Sequence, residues 1–276
     1  MPEPFSKHFI KTDESFLPSA AERYDLLLQV SEKEVSYSIL ERERNRFVAT
    51  GTLRLPIESI FEEVPWLKGN FNSTRIIAEN NRSTLIPSVF FDPAEKERYL
   101  SFTVEHEPTD LVSFDHIASL DLYSVYSVPS SLLAKLGRLF PGGRISHISS
   151  ALIRSIHGNY KNLVQDNKVF INVRDHNFDL LVFDGKQLSY FNAFPFQVPE
   201  DLAYYVIFVY EQLGLNPEET GVVLSGRAEK NSPVAELLYK YIRSVEMAAR
   251  SETFTYSYVF RDIPAHAYYT LLNPGS

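Results

Sequence analysis

The sequence contains no cysteine. That excludes disulfides, thiolate nucleophiles, iron–sulfur clusters and cysteine-bound zinc together. No apolar run approaches the roughly 18 residues a membrane-spanning helix needs. The first twenty residues hold no apolar stretch of signal-peptide length. The expectation is a soluble, cytoplasmic protein without direct membrane insertion. Positive charge is scarce: 27 Lys and Arg stand against 35 Asp and Glu, a formal net charge of −8. A broad attraction to nucleic acid is therefore disfavoured, and no nucleic-acid partner is expected. Glycine is sparse, with 11 residues, whereas there are 20 Phe and 16 Tyr, a balance that suits strands. At 276 residues and 44% apolar content, the chain can build one large core or two ordinary ones.

Residues 1–20 are polar, proline-containing and without a period, and are read as an N-terminal arm. Regular structure is expected from Tyr24. Asp25–Val30 is a short apolar block. Val35, Tyr37 and Ile39 alternate with Ser36 and Ser38, the period of a strand with unlike faces. After a polar turn at Arg42–Asn45, Phe47–Leu55 reads as a third strand. Pro56 then opens a helix. Strands are expected at Thr74–Ala78, Leu111–Ile117, Leu120–Val128 and Arg144–Ile148. Helices are expected at Pro93–Tyr99, after Ser130-Ser131, and at Ser150–His157. Gly158–Asn167 reads as a linker, giving lobes at 21–160 and 161–276.

The first pattern then returns. Val169, Ile171 and Val173 alternate, as do Phe178, Leu180 and Val182, and Asp184-Gly185 marks a tight hairpin. Leu188–Phe194 is a third strand, Pro199 opens a helix and Gly214 closes it. A strand follows at Gly221–Leu224. A helix capped by Ser232 is expected to carry Leu237 through Val245, followed by a strand at Thr253–Arg261 and a helix at Pro264–Leu272. Shifted by 143 residues (26 to 169), the two halves fall into register. Leu26 meets Val169, Leu28 meets Ile171, Val35 meets Phe178, Phe47 meets Tyr190 and Pro56 meets Pro199. Such internal similarity points to a duplicated architecture.

A βββ meander followed by helix and strand, occurring twice, resembles the actin, Hsp70 and sugar-kinase superfamily. Tyr126–Ile156 is similar to its smaller pilus- and secretion-assembly members. It has a Val128-Pro129 step, an amphipathic helix, a short strand, and a helix ending in Ala151-Leu152-Ile153-Arg154. The whole chain, with Asp13-Glu14-Ser15-Phe16 in its arm, also looks like a bacterial family of unknown function assigned the same fold. The resemblance implies an α/β, actin-like (ribonuclease H-like) fold: duplicated βββαβ domains as two lobes around a central cleft.

In ATP-using members of that superfamily each hairpin's first turn carries Asp-x-Gly. The glycine lets backbone N–H groups close on phosphate, and the aspartate organises Mg²⁺ and water. Here the first turn reads Gln29-Val30-Ser31-Glu32-Lys33-Glu34. Gln29 replaces the aspartate, Ser31 replaces the glycine, and two carboxylates stand where phosphate would. In the second turn Asn172 replaces the aspartate and Arg174 the glycine, so a side chain blocks close backbone approach. Only Asp179 matches the later aspartate of the pattern. Near the adenosine site, Ser225-Gly226-Arg227 keeps one glycine of a pair. Lys33, Arg174 and Arg227 remain as anion-binding candidates.

No catalytic set and no metal set is read from the sequence. His106 and His116, or His147 and His157, lie ten apart, which is not ligand spacing, and Ser146-His147 lacks a nucleophile-elbow context. Tyr204-Tyr205 reads as core, rim or an interaction surface. The expectation is a non-catalytic actin-like module without a cofactor, ATP and Mg²⁺ being disfavoured. It would bind a protein partner or another copy of itself. The alternative is a divergent ATPase or small-molecule kinase using Asp179 as its surviving acid.

Overall fold

The computed structural model describes residues 8–105 and 107–275. Residues 1–7 of the arm and His106 therefore lie outside the described residues. The chain opens with β1 (Phe9–Thr12), then the meander β2 (Tyr24–Val30), β3 (Val35–Glu41) and β4 (Arg46–Leu53). A single helical turn, α1 (Ile60–Glu63), leads to β5 (Ser73–Ala78). Next come β6 (Ser83–Pro87), α2 (Lys96–Ser101), β7 (Asp110–Ile117), β8 (Leu122–Pro129), α3 (Ser130–Leu139) and β9 (Arg144–His147). After α4 (Ile148–Tyr160) a second meander follows: β10 (Asn167–Val173), β11 (Asn177–Asp184) and β12 (Gln187–Pro195). The chain ends with α5 (Pro199–Leu213), β13 (Val222–Gly226), α6 (Pro233–Leu238), β14 (Val245–Met247), β15 (Thr255–Tyr256) and α7 (Tyr269–Leu272).

Two compact units result. One takes the chain up to Ala151 and takes back Ser251–Ile263; the other holds Leu152–Arg250 and the chain from Pro264. In the first unit the main sheet has the order β1-β4-β3-β2-β5-β9, with β15 beside β4. β2 runs antiparallel to β3 and parallel to β5. Leu26, Leu28, Val30, Val35, Tyr37 and Ile39 are buried in its core with Ile57, Ile60 and Leu136. Each buried aliphatic side chain contributes about 1.5–3 kcal/mol. A separate antiparallel sheet, β6-β8-β7, carries its own small core around Leu100, Val112 and Val125.

In the second unit the sheet order is β12-β11-β10-β13-β14. α5 and α6 supply Leu202, Val206, Val209 and Leu238 to the core over Val169, Ile171 and Leu180. Pro199 and the Asp201 carboxylate define the start of α5, the latter accepting from the N–H groups of Gln197 and Val198. Gly214 ends the helix in the left-handed region at φ 64°.

The two meanders pair alike. Leu26 lies opposite Ile39 and Val30 opposite Val35; Val169 lies opposite Val182 and Val173 opposite Phe178. The second strand pairs also slip at equivalent points, between Ile39 and Leu40 and between Val182 and Phe183. The third strands, however, do not keep the 143-residue shift. Leu40 faces Phe47 whereas Phe183 faces Leu188, so Phe47 corresponds to Leu188 and not to Tyr190. The cause is turn length. Arg42–Asn45 separates β3 from β4, but only Gly185 and Lys186 separate β11 from β12. Gly185 permits the short turn by taking φ +56°.

Four other sequence expectations change. Regular structure begins at β1, a four-residue edge strand on β4 too short to show a period. Phe16 of the arm is buried against Tyr24 and Trp66. The helix after Ser232 stops at Leu238, and Val245 instead starts β14 parallel to β13. There the Tyr239 hydroxyl donates to the Val245 carbonyl, closing a turn whose apolar spacing imitates a helix. The expected strand at Thr253–Arg261 is two residues long, because Ser257 accepts from the Val259 N–H and turns the chain. The expected helix at Pro264–Leu272 is confined to α7. The strand β6 was not foreseen.

Candidate functional site

The second hairpin turn assembles most of the residues singled out by sequence. Asn172 and Val173 end β10, Asp179 lies on β11, and Ser225 and Gly226 end β13 beside them. Asn172 faces both Asp179 and Ser225 in the strand register. The alternation of β10 therefore turns Asn172 away from the core face that Ile171 and Val173 occupy.

Arg174 does not point outward. It is 6% exposed, and its Nη2 donates to Asp179 Oδ1 at 2.8 Å. Asn172 Nδ2 donates to the other carboxylate oxygen, Oδ2, at 3.1 Å. Ser225 Oγ donates within the same network, lying 3.2 Å from Asn172 Oδ1 and 3.3 Å from the Ile171 carbonyl. Asp179, 1% exposed, thus has both oxygens engaged by neighbours in its own unit. A general acid or base must come within hydrogen-bond reach of a substrate; this carboxylate instead balances a buried guanidinium. Burial of such a pair is tolerated because the two charges meet directly and Asn172 adds a hydrogen bond to the carboxylate.

The backbone donors nearby are engaged too. Arg174 N–H donates to the Asn177 carbonyl at 2.8 Å, and Ser31 N–H donates to the Glu34 carbonyl at 2.9 Å in the first turn. Gly226 N–H donates to the His266 carbonyl at 2.9 Å and Arg227 N–H to the Val173 carbonyl at 2.8 Å. Gly226 is at φ +77°, and a Cβ there would lie 2.2 Å from the Val173 carbonyl oxygen. The retained glycine thus meets a packing need between β10 and β13. Arg227 pairs with Asp175 at 2.9 Å. In the first turn Gln29 donates to Glu79, Ser31 Oγ bonds back to Glu34, and Lys33 is exposed. His266 is buried, which lowers its pKa against the opposing effect of a backbone bond at Ala228.

A second polar cluster, in the first unit, lies outside the residues chosen from sequence. His147, 1% exposed, has Nδ1 2.7 Å from Ser149 Oγ and Nε2 2.9 Å from Asn80 Oδ1. Ser124 Oγ lies 2.9 Å from Ser149 Oγ, and Asp115 accepts from the His147 N–H. The serine–histidine contact has the composition of a nucleophile and base, but these side chains are buried and mutually satisfied. They tie β8 and β9 to the start of α4. The only sequence signal was the dipeptide Ser146-His147, which names the wrong serine. Among the described residues no group of three His, Asp or Glu side chains is placed to hold a metal ion. No described helix is long and apolar enough to cross a membrane.

Two βββαβ meanders in this order have the architecture of the actin-like ATPase fold, and comparison with solved structures agrees. A Bacteroides thetaiotaomicron VPI-5482 protein with actin-like ATPase fold and unknown function matches at TM-score 0.77 and 20% identity, over 84% of this chain and 93% of that one. A chain of the PilM–PilN type IV pilus biogenesis complex matches at TM-score 0.61 and 10% identity, over 91% and 97% of the two chains. The chain belongs to the DUF3822 family of proteins of unknown function, whose model matches residues 13–245. No curated protein matches the sequence.

Proposed function

We propose that this chain is a non-catalytic actin-like module that binds a protein partner or a second copy of itself in the bacterial cytoplasm, and that its ATPase activity has been lost. The carrying observation is the buried Arg174–Asp179 pair. A phosphate-binding turn needs a glycine-like approach and free N–H groups. Here an arginine occupies the glycine position, its guanidinium engages the one aspartate that matches the pattern, and the Arg174 N–H is taken by the Asn177 carbonyl. Asn172, Arg174 and Asp179 do not fit a Mg²⁺-bound triphosphate, so no reaction step is assigned to them. The equal register of the first strand pair in each meander supports an origin by internal duplication. The similarity to a chain from a pilus biogenesis complex supports an assembly role, and the net charge of −8 argues against nucleic acid as the partner.

Titration with Mg·ATP tests the reading. The expected outcome is no saturable heat at millimolar nucleotide and no phosphate release. Saturable binding that disappears in a folded Asp179→Asn variant would overturn it in favour of a divergent ATP-binding enzyme.

A further inference from the structure

α5 has more apolar surface than its own fold uses. Leu202, Ala203, Val206, Val209 and Tyr210 face the core. The other side carries Tyr204 and Phe208, 66% and 44% exposed, with Ile207 at the edge of the core between the two faces. A surface helix of a folded domain ordinarily has one apolar stripe and a polar opposite face. Here the second stripe meets Leu237 and Tyr241 to form a groove of about 410 Å³. Tyr241 is 54% exposed, and the Tyr204 and Phe208 rings stack at 6.4 Å.

Two carboxylates frame the groove. Glu200 and Glu211 line it, both exposed, and neither side chain has an ion-pair or hydrogen-bond partner among the described residues. Eleven residues apart on one helix, they stand about 16 Å from each other along its axis. Glu211 lies in the last turn of α5, where the helix dipole disfavours a negative charge, and no basic residue offsets it there. Aromatic rings between two unpaired acids are a surface for cations as well as for apolar groups.

We infer that this groove docks a cationic amphipathic segment of a partner protein, with apolar anchors over Tyr204, Phe208 and Tyr241 and Lys or Arg at both ends. The proposal rests on the partner-binding reading and adds the surface and the chemistry of the partner. Charge complementarity selects this occupant. A second copy docking face to face would set glutamates against glutamates, and an anionic membrane surface would be repelled by the same rim.

The test uses the full chain and a fluorescein-labelled 14-residue helical peptide with Leu and Trp on one face and Lys or Arg elsewhere. A matched peptide carries Glu for each Lys and Arg. Anisotropy at 0.15 M salt should show saturable binding of the cationic peptide and none of the acidic one. Tyr204→Ser/Phe208→Ser and, separately, Glu200→Gln/Glu211→Gln should each weaken binding at least tenfold. Glu62→Gln/Glu252→Gln, acids of the first unit that do not line the groove, should leave it unchanged. Equal weakening in that control, absence of saturable binding, or a dimer in sedimentation that Phe208→Ser dissociates would each overturn the proposal. Those results leave the wider partner-binding reading standing, whereas nucleotide binding dependent on Asp179 would overturn that reading without altering the peptide result.

Discussion

Arg174 Nη2 and Asp179 Oδ1 lie 2.8 Å apart in a site where both side chains are buried. Removing one partner of such a pair leaves a charge in a poor solvent, at a cost of about 3–5 kcal/mol. Arg174→Met should therefore lower the unfolding free energy measured by urea titration at pH 7 by an amount in that range. Arg174→Met/Asp179→Leu should recover most of the loss, since apolar groups of similar volume can replace a buried ion pair. Equal loss in the single and double variants would show that the pair's charges are not what the site depends on.

Two glycines should respond to alanine with opposite signs. Gly226 is at φ +77°, with the Val173 carbonyl oxygen 2.2 Å from an added Cβ. Gly226→Ala should destabilise the protein by at least about 1–3 kcal/mol through backbone strain alone. Gly137 lies within α3 with nothing within 4 Å of an added Cβ. Gly137→Ala should stabilise by up to about 1 kcal/mol from helix propensity. Thermal melts of the two variants beside the parent decide both.

The meanders were legible because their cores alternate in sequence. Val35, Tyr37 and Ile39 repeat every second residue, and so do Phe178, Leu180 and Val182. Prolines at 56 and 199 and glycines at 185 and 214 punctuate the chain where the backbone needs them. The two-residue slip of β12 was hidden because it depends on turn length, to which strand alternation is blind. The helical spacing from Leu238 to Val245 misled because a turn can bring the same residues to one side. At the site, the substitutions at Asn172 and Arg174 were readable, but the Arg174–Asp179 pairing was not. It depends on a side chain reaching across the turn to a partner five residues further along the chain.

Two histidines of the second unit should make stability depend on pH. Burial lowers the pKa of His266, and burial followed by Lys161 and Lys186 lowers that of His157. Both favour the neutral form when folded, whereas the unfolded chain takes up protons near pH 6.5. The stabilisation they give is therefore complete above about pH 6.5 and is lost as the pH falls through their folded pKa values. Urea unfolding at pH 7.5 and at pH 5 should show the lower midpoint at pH 5. His157→Gln/His266→Gln should flatten the difference. Asp13, held below its ordinary pKa despite burial by bonds from Ser15 and Ser257, titrates in a lower window. It should not contribute to this comparison.

Phe47 holds the returning segment 251–263 in the first unit. It is fully buried, with ring centroids 5.3 Å from Phe254, 5.4 Å from Tyr256 and 6.2 Å from Phe260. β15 adds little of its own: two residues pair with β4, and the N–H groups of Thr255 and Ser257 donate to the carbonyls of Asn45 and Phe47. Phe47→Ala opens a cavity under the segment and should cost about 3–5 kcal/mol. The loss should appear locally as well. Amide exchange at Thr255 and Ser257 should accelerate more than exchange within β2 and β3, since the short strand loses the rings that press it onto β4. Phe178→Ala, a core deletion in the second unit, should cost a similar amount without selectively releasing those two amides. Equal release of Thr255 and Ser257 in both variants would mean that they open only with global unfolding, and that Phe47 is not their anchor.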